Sequence, residues 1–349
     1  MPIDIFTPPC IIVANTCHDF HLEVFNVTST SWLDSGWGVK QMGNLRFVLL
    51  AIVLSACVTI PKEVVLPLGD HFTVISGAKL HYLVAGNGPV CIVHPGGPGF
   101  NLEYMRMPSL ENRLTLVYID PVGSGASDRL ANPTHYTFDR YADDIEGLRL
   151  HLGLKNVCLL GHSAGGFVAQ VYALRYQDRL TALVLYGTSP TGGVAADLAS
   201  NFKKFDGEPW YSDAVESFST AFAAKSDEEL TAKFKKVVGF YVHDYTSDKI
   251  RAADFLKNVA CAIEPLKTGF AQELPKFDVR ERLPEIKTPT LVIVGREDAL
   301  ASVKHSNMLH DGIPGSKLVI IEKSGHFAHF DQPQETAKAI GDFVSSQSK

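Results

Sequence analysis

The chain has 349 residues, enough for one large α/β domain carrying an insertion. Apolar residues make up 46% of it and charged residues 20%, which excludes a mainly disordered chain. A net charge of −6 without a long basic run excludes the clustered positive face that nucleic acid requires, and the absence of C-x-x-C and H-E-x-x-H motifs gives no indication of zinc.

In chain order, the first informative stretch is residues 45–56, which are almost wholly apolar. This run is short for a membrane span and has the length of a secretory apolar core. Leu54, Ser55 and Ala56 precede Cys57 in the manner of a bacterial lipobox, with Met42 and Arg46 just upstream. The expectation is a leader over residues 1–56. Within it, residues 42–56 form a lipoprotein signal peptide that starts at Met42, and residues 1–41 are an extra tail or are not translated. The mature chain then begins at a lipidated Cys57, exported to the bacterial cell envelope and anchored to the membrane through acyl chains. If the leader is no signal, the protein is cytoplasmic. Of the six cysteines, Cys10 and Cys17 fall in the leader, Cys91 and Cys158 sit within apolar strands, and Cys261 lies in the middle of the chain. No disulfide pairing follows from them.

Beyond the leader, residues 72–75 and 80–84 read as two antiparallel strands joined at Ser76-Gly77-Ala78. Apolar runs without alternation follow near 90–93, 114–119, 157–160, 181–186, 290–294 and 317–321, as suits parallel strands buried on both faces. Helical patterns at 141–152, 164–176 and 333–345 are interleaved with them. This rhythm predicts an α/β class fold with a mostly parallel, doubly wound sheet. The rhythm stops between residues 188 and 285, where the pattern is helical (213–224, 227–238 and 249–262). The expected organisation is a core of residues 57–187 and 286–349 with an inserted helical unit, 188–285.

The chemistry concentrates at Gly161-His162-Ser163-Ala164-Gly165, a G-x-S-x-G string between a predicted strand and a predicted helix. A serine on so tight a turn is a nucleophile elbow, and the glycines relieve its crowding. A serine hydroxyl needs a base, and in this arrangement an acid and then a histidine follow later in the chain. Asp298 comes just after the 290–294 run, and His326 lies in the loop after the 317–321 run. Glu297 reads as a surface residue, and His329 as the start of the last helix. The N–H of Ala164 is one candidate oxyanion donor. The other comes from His94-Pro95-Gly96-Gly97-Pro98-Gly99, with the N–H of Gly97 first and that of Gly96 second. Asp128 reads as a partner for loop N–H groups.

Three stretches carry a family resemblance: Gly96-Gly97-Pro98-Gly99, the run from Asp120 to Asp128 (D-x-x-G-x-G-x-S-D), and the elbow extended to Gly166. Over about residues 70–349 the chain resembles the α/β-hydrolase superfamily and, within it, the proline iminopeptidase group. It departs from that group in having Pro95 where the group's H-G-G-P-G motif has histidine, with His94 displaced by one. The resemblance implies an α/β-hydrolase fold with the insertion as a helical cap over the site, and no cofactor. It further implies a serine hydrolase acting on a small-molecule or short-peptide substrate through Ser163, Asp298 and His326. The first expectation is an aminopeptidase whose cap holds the substrate amine, with Glu208, Trp210 and Glu216 as candidate contacts. A carboxylesterase or lactonase, and a non-catalytic binding protein on the same scaffold, are the alternatives.

Overall fold

The computed structural model describes residues 65–347 except Pro98. The leader, with the proposed signal and the proposed lipidation at Cys57, lies outside the described residues. Among the described residues no helix is long and apolar enough to cross a membrane.

All eight expected strands form. They are β1 Gly69–Ile75, β2 Ala78–Gly86, β3 Val90–His94, β4 Thr115–Asp120, β5 Val157–His162, β6 Leu180–Tyr186, β7 Thr290–Gly295 and β8 Lys317–Ile321. They make one sheet in the order β1-β2-β4-β3-β5-β6-β7-β8. β1 and β2 run antiparallel to their neighbours and the other pairings are parallel. β4, β5 and β7 are buried along their whole length, which explains their unbroken apolar sequences. The sheet separates two apolar cores, one containing Cys91, Tyr104 and Tyr186, the other Ile92, Phe167 and Tyr172. Cys91 and Cys158 are direct neighbours across β3 and β5, and both are buried free thiols.

The strand order reverses at β3, which has β4 on one side and β5 on the other. Loops leaving the carboxyl ends of β3 and β5 therefore meet at one crevice, the usual ligand position in such sheets. The helix Ala164–Tyr176 starts directly after β5, and Pro333–Gln347 closes the described chain. Thr137 caps the helix Phe138–His151 by accepting from the Arg140 N–H, so this helix begins three residues before the expected 141.

Between β6 and β7 lies a helical insertion. Its two connecting segments pair at Thr191 and Asp278, with Gly192 N–H donating to Phe277 O at 2.8 Å and Val279 N–H to Pro190 O at 3.0 Å. Within it, helices occupy Tyr211–Ser219, Asp227–Val237 and Tyr245–Phe255. The last differs from the expected 249–262. Asp244 accepts from the Ser247 N–H and starts the helix early, while Cys261 instead bridges to Phe100 in the loop after β3.

Candidate active site

Ser163 occupies the left-handed region, φ +53° and ψ −119°, at the junction of β5 and its helix. A non-glycine residue held there stores strain of about 1–3 kcal/mol that the surroundings must overcome. The surroundings are tight. A Cβ on Gly161 would stand 2.3 Å from Gly165 O, and one on Gly165 would stand 2.4 Å from His94 O and 2.5 Å from Pro95 O. The backbone of Ser163 is pinned to β6, its N–H donating to Tyr186 O at 2.8 Å.

Asp298 follows β7 and His326 follows β8, and both are buried. His326 Nδ1–H donates to Asp298 Oδ2 at 2.7 Å. The other carboxylate oxygen accepts from the N–H groups of Leu300 and Ala301, each at 2.8 Å, which fixes its orientation. The histidine loop is held from behind by Asp331, whose carboxylate accepts from Gly325 N–H at 2.8 Å and from His243 N–H. Partly withdrawn from water, Asp331 has its carboxyl pushed up to about 6. His326 Nε2 is buried with no partner among the described residues, and it lines the same cavity as Ser163. An imidazole with its far nitrogen held by a carboxylate and its near nitrogen bare can take a proton from a serine hydroxyl.

The loop after β3 passes within contact of the elbow, since a Cβ on Gly96 would lie 2.5 Å from Ser163 Cβ and 3.1 Å from Ala164 N. The N–H of Gly96 is taken by the Tyr104 hydroxyl. Gly97, at φ +55°, lines the cavity, and neither its N–H nor that of Ala164 has an acceptor among the described residues. Gly97 and Ala164 are thus the available donor pair, at the amino end of a helix whose dipole favours negative charge.

The cavity, of about 180 Å³, lies between these residues and the insertion. Its walls include Phe100, Phe167, Leu198, Phe218, Phe234 and Phe270. Among the described residues no aspartate or glutamate lines it, and the one charged residue there, Lys233, has its ammonium on Thr220 Oγ1 at 2.9 Å and near Glu229 at 3.7 Å. The three cap residues expected to contact substrate stand elsewhere. Glu208 is exposed and accepts from the Thr246 hydroxyl at 2.7 Å, and Glu216 is exposed on the helix Tyr211–Ser219. Trp210 packs among Phe205, Phe240 and Tyr245. None of the three lines the cavity: Glu208 and Glu216 are exposed, and Trp210, in the turn before the helix Tyr211–Ser219, packs into the insertion's own aromatic core. Glu297 is exposed beside His243, and Asp128 accepts from Lys79 N–H at 2.8 Å. His329 lies in a short helix, Ala328–Asp331, just before the last one.

Behind the site are three buried histidines that only the folded chain brings together with it. Burial holds His94 and His329 down to about 4 and His162 well below its ordinary value of 6.5, with His326 and His329 beside His162 adding to the effect. The unfolded chain takes up these protons below about pH 6.5 and the native chain does not. Stability therefore falls on acidification from about pH 6.5 towards 4, by about 1.4 kcal/mol per pH unit per histidine. Asp144 and Asp331, raised by burial to about 6, act in the opposite direction, since the native chain holds their protons where the unfolded one does not. Imidazole nitrogen shifts should show His94 and His329 still neutral at pH 5 in the folded protein.

A family model described as the alpha/beta hydrolase fold matches residues 88–333, and the chain belongs to that family of hydrolases. It is 27% identical to a proline iminopeptidase of Saccharolobus solfataricus, over 76% of this chain and 87% of the relative. It is equally 27% identical to a 2-hydroxy-6-oxo-6-phenylhexa-2,4-dienoate hydrolase of Comamonas testosteroni, over 77% and 92%. Among solved structures, an alpha/beta fold family hydrolase from Bacillus anthracis superposes with a TM-score of 0.65 at 22% identity, over 80% of this chain and 98% of that one.

Proposed function

We propose that the protein is a serine hydrolase that cleaves carboxylic esters or lactones with an apolar acyl group through an acyl-enzyme. Ser163 attacks the carbonyl while His326 Nε2 takes its proton, and Asp298 stabilises the imidazolium. The N–H groups of Gly97 and Ala164 stabilise the oxyanion. His326 then protonates the leaving alcohol, and water, activated by the same imidazole, releases the acid. The observation that carries the ester reading is the lining of the cavity. A free substrate amine buried there would meet no carboxylate among the described residues, and an unpaired buried charge is costly.

The aminopeptidase reading has its own support in the Gly96–Gly97 loop motif and in the relatives named as proline iminopeptidases. One experiment separates the two. The full chain and its Ser163→Ala variant are given p-nitrophenyl esters of increasing acyl length, prolyl p-nitroanilide and its N-blocked form. Ser163-dependent ester cleavage is expected, with kcat/KM rising about fourfold per methylene until the cavity is full, from about 0.8 kcal/mol per buried CH2. Ser163-dependent cleavage of the free-amine anilide alone would overturn the ester reading in favour of the peptidase.

A further inference from the structure

His162 is the residue before the elbow serine, and its ring is fully enclosed. Its Nε2 lies 3.1 Å from the carbonyl oxygen of His326, and a carbonyl only accepts, so Nε2 carries the proton. In a neutral ring Nδ1 is then bare, and it accepts from the Tyr104 hydroxyl at 3.1 Å. The same hydroxyl oxygen accepts from Gly96 N–H. One directed chain results: Gly96 N–H to Tyr104, Tyr104 O–H to His162, and His162 Nε2–H to His326 C=O. Each end adjoins a reacting group. Gly96 precedes the Gly97 donor, His162 precedes Ser163, and the last acceptor is the backbone of the base.

The surrounding bonds fix the chain further. His329 Nε2–H donates to Tyr104 C=O at 2.7 Å, and its Nδ1 accepts from the Tyr186 hydroxyl at 2.9 Å. Tyr186 Oη accepts in turn from His329 N–H at 3.0 Å. The rings of His162 and His326 lie 4.6 Å apart, and Tyr186 is 4.5 Å from His162 on another side. Every donor in this set has an acceptor, and no ring can flip without leaving a buried polar atom unpaired.

We propose that Tyr104 and His162 are positioning residues that hold the oxyanion loop, the elbow and the base loop in register through this hydrogen-bond chain. By occupying the N–H of Gly96, the Tyr104 hydroxyl leaves that of Gly97 as the loop's donor to the substrate oxygen. A displacement of that donor by about 1 Å costs on the order of 100-fold in rate without weakening substrate binding. The inference rests on the serine-hydrolase reading of Ser163, Asp298 and His326.

The test uses the full chain, p-nitrophenyl butyrate as substrate, and the variants Tyr104→Phe, His162→Gln, their double variant and Ser163→Ala. Tyr104→Phe removes one oxygen and keeps the ring against Phe100 and Phe327. It should lower kcat about 10–100-fold with KM within about threefold of wild type. His162→Gln should do the same, and the double variant should lose no more than the worse single one, because two links of one chain cannot be cut twice. If Tyr104→Phe does not fold, the kcat and KM of His162→Gln decide alone. Wild-type kcat in the folded variants, or losses that multiply in the double variant, would overturn the positioning role. Turnover undiminished in Ser163→Ala would instead overturn the serine-hydrolase reading beneath it.

Discussion

Replacing Ser163 by alanine should lower ester turnover by a factor on the order of 10⁴–10⁶ and leave the fold intact. In the proposed reaction the hydroxyl is the bond-forming group, and no other side chain of the elbow can replace it: Gly161 and Gly165 have none, and His162 faces the opposite direction, onto Tyr104 and His326. Asp298→Asn should cost about 10⁴ in kcat, because an amide cannot stabilise the imidazolium and permits the wrong tautomer. Far-UV circular dichroism and the melting temperature should stay near wild type for Ser163→Ala, since alanine at φ +53° keeps the same backbone and relieves no packing. Steady-state kinetics of the two variants beside wild type check both figures. A loss of less than tenfold in Ser163→Ala would mean that the elbow serine is not the nucleophile.

The second large effect is on stability. Gly165→Ala places a Cβ 2.4 Å from His94 O and 2.5 Å from Pro95 O, both of them backbone atoms at the end of β3 and the start of the oxyanion loop. Gly165 lies in the first turn of a helix, where propensity alone makes alanine the better residue by about 1 kcal/mol. The two effects have opposite signs, so the measurement decides between them. Destabilisation of roughly 3 kcal/mol or more is expected, since the β3 end must move or the elbow must open. At about 2–4 °C per kcal/mol this is a fall in Tm of roughly 6–12 °C. Gly193→Ala, whose Cβ would find its nearest neighbour at 3.5 Å, is the control and should stay within about 0.5 kcal/mol of wild type. An unchanged Gly165→Ala would mean that the elbow is not held by close backbone approach.

The fold was legible because its signals are short-range and repeated. Val157 to Leu160 is an unbroken apolar run, and β5 is in fact buried on both faces. The same holds for Leu291 to Val294 in β7, so the positions of Asp298 and His326 just beyond strand ends could be read before any coordinates. What distinguishes the two glycines is three-dimensional: Tyr104, eight residues on, takes the N–H of Gly96, and the sequence carries no sign of that contact. The insertion was legible as helical and illegible as a binding surface. Glu216 sits on a pattern like that of any solvated helix and Glu208 in an exposed turn, and nothing in the spacing says that the face turned to the cavity is built from Phe218, Phe234 and Leu198. Tyr104 and His162 carry no signal of their own either. Their roles come from contacts across 58 and 164 positions of sequence, which only the packed sheet creates.

Fluorophosphonate labelling of the full chain, followed by peptide mass mapping, tests the central claim most directly. Such a probe reacts with a serine only where a base and an oxyanion hole converge on it. A single adduct on Ser163, absent from Ser163→Ala and strongly slowed in Asp298→Asn, is the predicted result. Folded protein that takes up no probe, or takes it up at another serine, would contradict the assignment of Ser163, Asp298 and His326 as one catalytic unit.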